Sequence, residues 1–281
     1  MPYSAEVAES MAHRLMQPAQ YGGGGLTPGE FLCTVAELGT ENASRGWVAA
    51  AYGLGAQTLP PTEFDRVWSG RLDARVTVGF GGSALVNGYR LSGRWPSVVG
   101  ALEADWFLLG FEAGRVLLPA TAVRLHGGEH DGGLHGSGLA DVDVTDADLT
   151  EAQVHPHRTD ADGVLAAAAA AAAVIGSALG GWRRHVAALR ARLAISHGGE
   201  ELTDQAAAQI ARTASDLDAS QIQITTGGLA HHAPYAQAIA RARAAMDQLL
   251  ASSRHALDVS DPVTIAWRDV HAGCRLAAGY R

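Results

Sequence analysis

Hydrophobic and polar positions along the chain change period twice. From Pro28 to about Asn42 the apolar residues Phe31, Val35 and Leu38 recur at helical spacing. They follow Thr27-Pro28-Gly29-Glu30, which joins a capping-box pattern to a proline at the first helical position. A second helix is predicted from Ser44 through Trp47, Val48 and Leu54. A short one, opened by Pro61, carries Phe64, Val67 and Trp68. Upstream, Val7, Met11 and Leu15 share one face of a helix predicted over Ala5 to Met16, stopped by Pro18 and the run Gly22 to Gly25.

Between Ala74 and about Val144 the pattern shifts to short alternating segments and glycine-rich turns. Strands are predicted at Arg75 to Gly79, Ala84 to Leu91, Asp105 to Gly110, Arg115 to Leu118 and Leu139 to Val144. Helices then return at Val164 to about Arg192, Thr203 to Thr226, Tyr235 to about Ser253 and Pro262 to about Arg275. The run Ala166 to Ala173 reads as a helix packed closely on its neighbours, since alanine has the best intrinsic helix propensity. The expected fold is mainly α with a central β unit. Its parts are N-terminal helices over 1–71, a β unit over 72–150 and a helical bundle of four over 151–281.

Composition narrows the chemistry. All 21 basic residues are arginines, so Schiff-base and lysine-nucleophile mechanisms are excluded. A net charge of -8 argues against nucleic acid and anionic membrane surfaces as partners. The start of the chain has no signal pattern, and the stretch Leu165 to Leu179 is too weakly hydrophobic to read as a membrane span, so a cytoplasmic location is expected. Cys33 and Cys274 read as free thiols, with a disulfide between them left open. The helices carry no Glu-x-x-His, and Glu200 and Glu201 fall at a helix start, against a di-iron centre. His126, His130 and His135, like His155 and His157, lie in loop-rich sequence without cysteine partners and read as solvated rather than zinc-binding.

Four passages carry a family resemblance: Gln17-Pro18-Ala19-Gln20-Tyr21-Gly22-Gly23, Ser44-Arg45-Gly46-Trp47-Val48, Gly88 to Pro96 with Ala104 to Gly110, and Asp261 to Ala272. They resemble the acyl-CoA dehydrogenase superfamily, and within it the two-component flavin monooxygenases that use reduced flavin from a separate reductase. The resemblance implies N-terminal helices, a barrel-like middle β domain and a C-terminal four-helix bundle. It also implies a shortened N-terminal part and FAD or FMN as candidate cofactor, while the long alanine-rich helices, which need extended neighbouring surfaces, point to a homodimer or tetramer through the C-terminal bundle. The family's active-site serine maps to Val99 and its two histidines to Gly55 and Leu276, while Glu103 stands where a histidine often occurs. The dehydrogenase glutamate has no counterpart between Leu250 and Asp261.

Glu103, Arg268 and His271 are therefore the candidate catalytic residues. Trp95, Val99 and Trp106 are the candidate cofactor contacts, with Trp47 beside them. The expected function is action on a flat apolar or aromatic molecule, in a bacterial catabolic or secondary-metabolite pathway, by an atypical mechanism, with or without flavin. Phenol hydroxylation by the family's standard route is not expected. Two alternatives stand beside it: a non-catalytic subunit forming a heteromer with a complete relative, and a standard reduced-flavin oxidoreductase.

Overall fold

The computed structural model describes residues 11–112, 114–127, 132–149, 154–157, 159–195, 202–228, 230–251 and 258–280. The first helices are α1 (Pro28–Glu41), α2 (Ala43–Thr58) and the short α3 (Phe64–Trp68). The capping box forms as the sequence requires: the Glu30 N–H donates to Thr27 Oγ1, and Glu30 Oε2 accepts from the Thr27 N–H at 2.9 Å. Of the helix expected over Ala5 to Met16, residues 1–10 lie outside the described residues, and 11–17 form turns instead. The physical reason is a competing set of partners. The N–H groups of Gly24 and Leu26 donate to the carbonyls of Arg14 and Leu15, so the glycine run folds back on this segment.

The β unit is two four-stranded sheets. One has the order β1 (Val76–Gly79), β4 (Trp106–Phe111), β5 (Gly114–Pro119), β8 (Val154–His155); β1 runs parallel to β4 and the other pairs are antiparallel. The other has the order β2 (Ser83–Asn87), β3 (Arg90–Val98), β7 (Ala140–Asp148), β6 (Arg124–His126). The single strand expected over Ala84 to Leu91 is thus a hairpin, because Gly88 adopts φ 60° and reverses the chain. Leu91, Trp95, Phe107, Leu109 and Val142 are fully buried in the core that the two sheets share.

The C-terminal helices are α4 (Asp160–Ile195), α5 (Asp204–Thr226), α6 (Ala233–Ala251) and α7 (Pro262–Ala278). Central to them is α4, which packs against α1, α2, α5, α6 and α7. Its residues Ala166 to Ala173 are all buried, and each methyl contributes about 0.8 kcal/mol of burial. The small faces permit main-chain proximity: a Cβ on Gly176 would lie 2.4 Å from the Ala36 carbonyl oxygen of α1. Among the described residues, α4 is the one helix long and apolar enough to cross a membrane, and the whole of its apolar window is buried inside the protein.

Candidate functional site

Where the open ends of β1 and β3 meet α7, the structure leaves a cavity of about 560 Å³. Its floor and walls include Val78, Phe80, Ser97, Leu139, Leu276 and Tyr280, and Arg275 stands at its edge. Ser97 reaches it through a bulge. The β3–β7 register slips between Trp95 and Val98, and Ser97 takes φ 54°, a left-handed conformation unfavourable for a side chain with a Cβ. Asp141 on β7 holds it there, accepting the Ser97 N–H at 2.8 Å while also receiving Arg94 at 2.7 Å.

The opposite wall is built by α7, which Asp261 caps by accepting the N–H groups of Val263 and Thr264. Ala272, Arg275, Leu276 and Gly279 then fall on the cavity side. Tyr280 packs edge-on against Phe80 at 4.8 Å and against Trp47 at 5.7 Å. Burial pushes the Tyr280 hydroxyl far above the usual phenol range, so it stays protonated and can donate but not act as a base. Arg275 has no carboxylate partner among the described residues; its guanidinium lies against the loop, 2.8 Å from where a Gly132 Cβ would be.

That loop, 132–138, is stitched to three elements. Asp269 on α7 accepts the Leu134 N–H at 2.6 Å, Ser44 on α2 donates to the His135 carbonyl at 2.8 Å, and the Gly100 N–H donates to the Ser137 carbonyl at 2.8 Å. The cavity wall is therefore tied to both helical parts.

Two smaller cavities flank the first. One of about 400 Å³ shares Val78, Phe80, Gly81 and Gly279 with it, so Phe80 stands between the two. The other, about 260 Å³, lies at Arg45, Tyr52, Gly100, Glu103 and Ser137.

The structure does not bring the expected catalytic residues together. Glu103 lines the 260 Å³ cavity and pairs with Arg75 at 2.7 Å. His271 Nε2 lies 2.7 Å from Asp247 Oδ1 on α6, which also accepts the Trp267 indole N–H at 2.7 Å, and the Trp267 and His271 rings are 4.2 Å apart. Burial opposes ionisation of Asp247, but these hydrogen bonds hold its carboxyl below the usual range. Arg268 lines none of the three cavities, although its carbonyl packs against Gly133.

The expected cofactor contacts Trp95, Val99 and Trp106 do not line the 560 Å³ cavity either. Trp95 is fully buried and donates to the Gly110 carbonyl at 2.6 Å; Trp106 packs on the β-sheet face with the Arg66 guanidinium 5.1 Å from its ring centre. Val99 is fully buried in the helical core, and Ser97 faces the cavity in its stead. Gly55 is a packing position, since a Cβ there would lie 2.0 Å from the Val76 carbonyl oxygen. Of the three positions matched to family catalytic residues, Leu276 alone lines the cavity. Trp47 stands behind Tyr280 rather than in the wall.

Among the described residues no three of His, Cys, Asp and Glu converge as a metal site. His126 pairs with Asp143, His155 with Glu63, and His157 with the Glu112 carbonyl, while His130, Glu200 and Glu201 lie outside the described residues. Cys33 and Cys274 are both free.

No protein-family model matches the chain. The flavin-dependent monooxygenase, oxygenase subunit HsaA, of Rhodococcus jostii (strain RHA1) is 26% identical across 92% of this chain and 82% of its own length. A pigment production hydroxylase of Rhodococcus erythropolis is 32% identical over 104 residues, which are 34% of this chain and only 26% of that protein. The crystal structure of 3-HSA hydroxylase from Rhodococcus sp. RHA1 superposes with a TM-score of 0.83 at 23% identity, covering 97% of this chain and 86% of that one. XiaF from Streptomyces sp., solved with FADH2 and glycerol, gives 0.79 at 20% identity over 96% of this chain and 82% of its own. The fold is the acyl-CoA dehydrogenase fold found in flavin-dependent monooxygenases. The chain spans 82–86% of the length of HsaA, 3-HSA hydroxylase and XiaF.

Proposed function

We propose that this chain is the oxygenase-type component of a flavin-dependent oxidation system, taking up reduced flavin made elsewhere and holding its flat ring in the 560 Å³ cavity. The observation that carries the reading is the cavity itself. It has apolar faces from Val78, Phe80 and Leu276, a hydroxyl presented by a strained Ser97, and an arginine at the rim, on a fold shared with such oxygenases. Its volume lies within the roughly 300 to 1,000 Å³ of small-molecule sites. When bound, the flavin would supply the electrons for oxygen activation.

The chain's own residues then have distinct tasks. Ser97 offers a hydrogen bond to a polar ring edge, and Arg275 holds an anionic or carbonyl group at the rim. Tyr280, kept protonated by burial, donates and closes the inner end against water. No Asp, Glu, His or Cys stands among the described lining residues. A substrate that must lose a proton finds no resident base among the described lining residues, which favours oxidation of a flat apolar molecule by an atypical route over standard phenol hydroxylation.

The same observation favours a second reading, a non-catalytic subunit that partners a complete relative. Either form fits a cytoplasmic dimer or tetramer built through the helical region, where Ile195, Ile222 and Ile265 are exposed on α4, α5 and α7. Purified protein supplied with enzymatically reduced FMN or FAD, oxygen and a panel of phenols and non-phenolic aromatics tests these readings, with product and hydrogen peroxide both measured. The proposal expects product from substrates that need no deprotonation. Efficient phenol hydroxylation with little peroxide would contradict the atypical route, and no product from any substrate would favour the non-catalytic subunit.

A further inference from the structure

We infer that the 400 Å³ cavity across Phe80 is a second ligand compartment, taking a flat apolar molecule of one or two fused rings. Gly110, on β4, carries the inference. A glycine inside a strand weakens it and calls for a reason: a positive φ, a close approach, or a ligand.

The other β-unit glycines around this cavity have packing or backbone reasons, and Gly279 is the C-cap of α7 rather than a strand residue. A Cβ on Gly79 would lie 2.7 Å from Leu109 Cδ2, one on Gly82 would lie 2.1 Å from the Trp95 ring, and one on Gly114 would lie 2.3 Å from the His155 carbonyl oxygen; Gly81 has φ 69°. Gly110 has none of these. Its φ is not positive, and the nearest atom to a Cβ there is the Gly79 carbonyl oxygen at 3.6 Å, an ordinary contact. Its carbonyl accepts from Trp95, but any residue would supply that oxygen. What a side chain at 110 would change is the space in front of it.

The lining fits an apolar guest. Gly110 shares its strand face with Leu108, and both line the cavity together with Val78 and Phe111. The polar groups at the edge are engaged with main-chain oxygens. Arg115 donates to the Pro156 carbonyl at 2.9 Å and the Thr58 carbonyl at 2.8 Å, and His157 Nε2 lies 2.7 Å from the Glu112 carbonyl oxygen. Because Phe80 and Gly81 border both cavities, a guest here lies next to whatever fills the larger one. That this guest is the molecule oxidised rests on the flavin reading; the existence of the compartment does not.

Fluorescence titration with 2-naphthol, on wild type and on Gly110→Ala and Gly110→Val, tests it, with thermal unfolding and reduced-FMN binding measured alongside. Wild type is expected to bind 2-naphthol saturably, Gly110→Ala more weakly, and Gly110→Val about tenfold more weakly or worse. The Val variant is expected to unfold at or above the wild-type temperature, because a β-branched residue suits a strand, and to keep its affinity for reduced FMN. Unchanged 2-naphthol binding by Gly110→Val, no saturable binding by wild type, or a fall in thermal stability in both variants would overturn the inference. Failure of reduced FMN to bind wild type would overturn the flavin reading alone.

Discussion

Asp269 Oδ1 accepts a hydrogen bond from the Leu134 backbone N–H at 2.6 Å, and this bond ties α7 to the loop that closes one side of the large cavity. Leu134 itself sits at φ 58°, so the bond also holds an unfavourable backbone. Asp269→Ala leaves that N–H without its partner and should cost about 1–3 kcal/mol in chemical denaturation. Burial raises the Asp269 pKa, so the folded state binds its proton more tightly than the unfolded state, and ionisation at neutral pH is a cost. Asp269→Asn keeps an acceptor without the charge and should be as stable as wild type or more so at neutral pH.

Ser97→Gly separates strain from function. Relieving a left-handed serine should stabilise the fold by about 1 kcal/mol. Loss of the hydroxyl should weaken reduced-flavin binding by up to about tenfold, the worth of one net hydrogen bond. Higher thermal stability with lower affinity is the expected pair of results, and calorimetry with anaerobic titration measures both.

The helices that frame this site were legible because their signals are local. Thr27 and Glu30 make the capping box their spacing announces, and Asp261-Pro262 starts α7 as read. Trp95 was legible as an aromatic candidate for the site, not as the buried strand residue it is. Ser97 was not legible, because strict alternation would keep Trp95, Ser97 and Val99 on one face. The bulge after Trp95 breaks that parity, places Val98 in the inter-sheet core with Trp95, and turns Ser97 to the cavity. Sequence carries no sign of such a bulge until β7 is there to pair with. His271 and Arg268 were grouped by helical spacing, but the partner that decides the task of His271, Asp247, comes from a different helix.

Arg275 should discriminate between flavins. If its guanidinium holds a phosphate, Arg275→Met weakens FMN about tenfold or more while leaving riboflavin nearly unchanged, since hydrogen bonds to charged groups contribute about 1.5–3 kcal/mol. Equal loss for FMN and riboflavin would mean that the residue acts on the ring or on the loop instead.

His13 gives a pH signature. Burial, aided by Arg14 and then Arg75 and opposed by Asp73 and Asp105, pushes its pKa down to about 4. The unfolded chain therefore takes up this proton first as pH falls below the ordinary histidine value of 6.5, so the contribution of neutral His13 is complete above 6.5 and is lost towards 4. Denaturation curves across that window should fall more steeply for wild type than for His13→Gln.

The central claim is that the cavity between Ser97, Phe80 and α7 holds the flavin ring. Anaerobic titration with reduced FMN, on wild type and on Leu276→Trp, tests it most directly, because Leu276 lines that cavity and an indole there would occupy it. Saturable binding to wild type, lost in a Leu276→Trp variant that unfolds at the wild-type temperature, is the predicted result. No binding to wild type, or equal binding to both proteins, would contradict it.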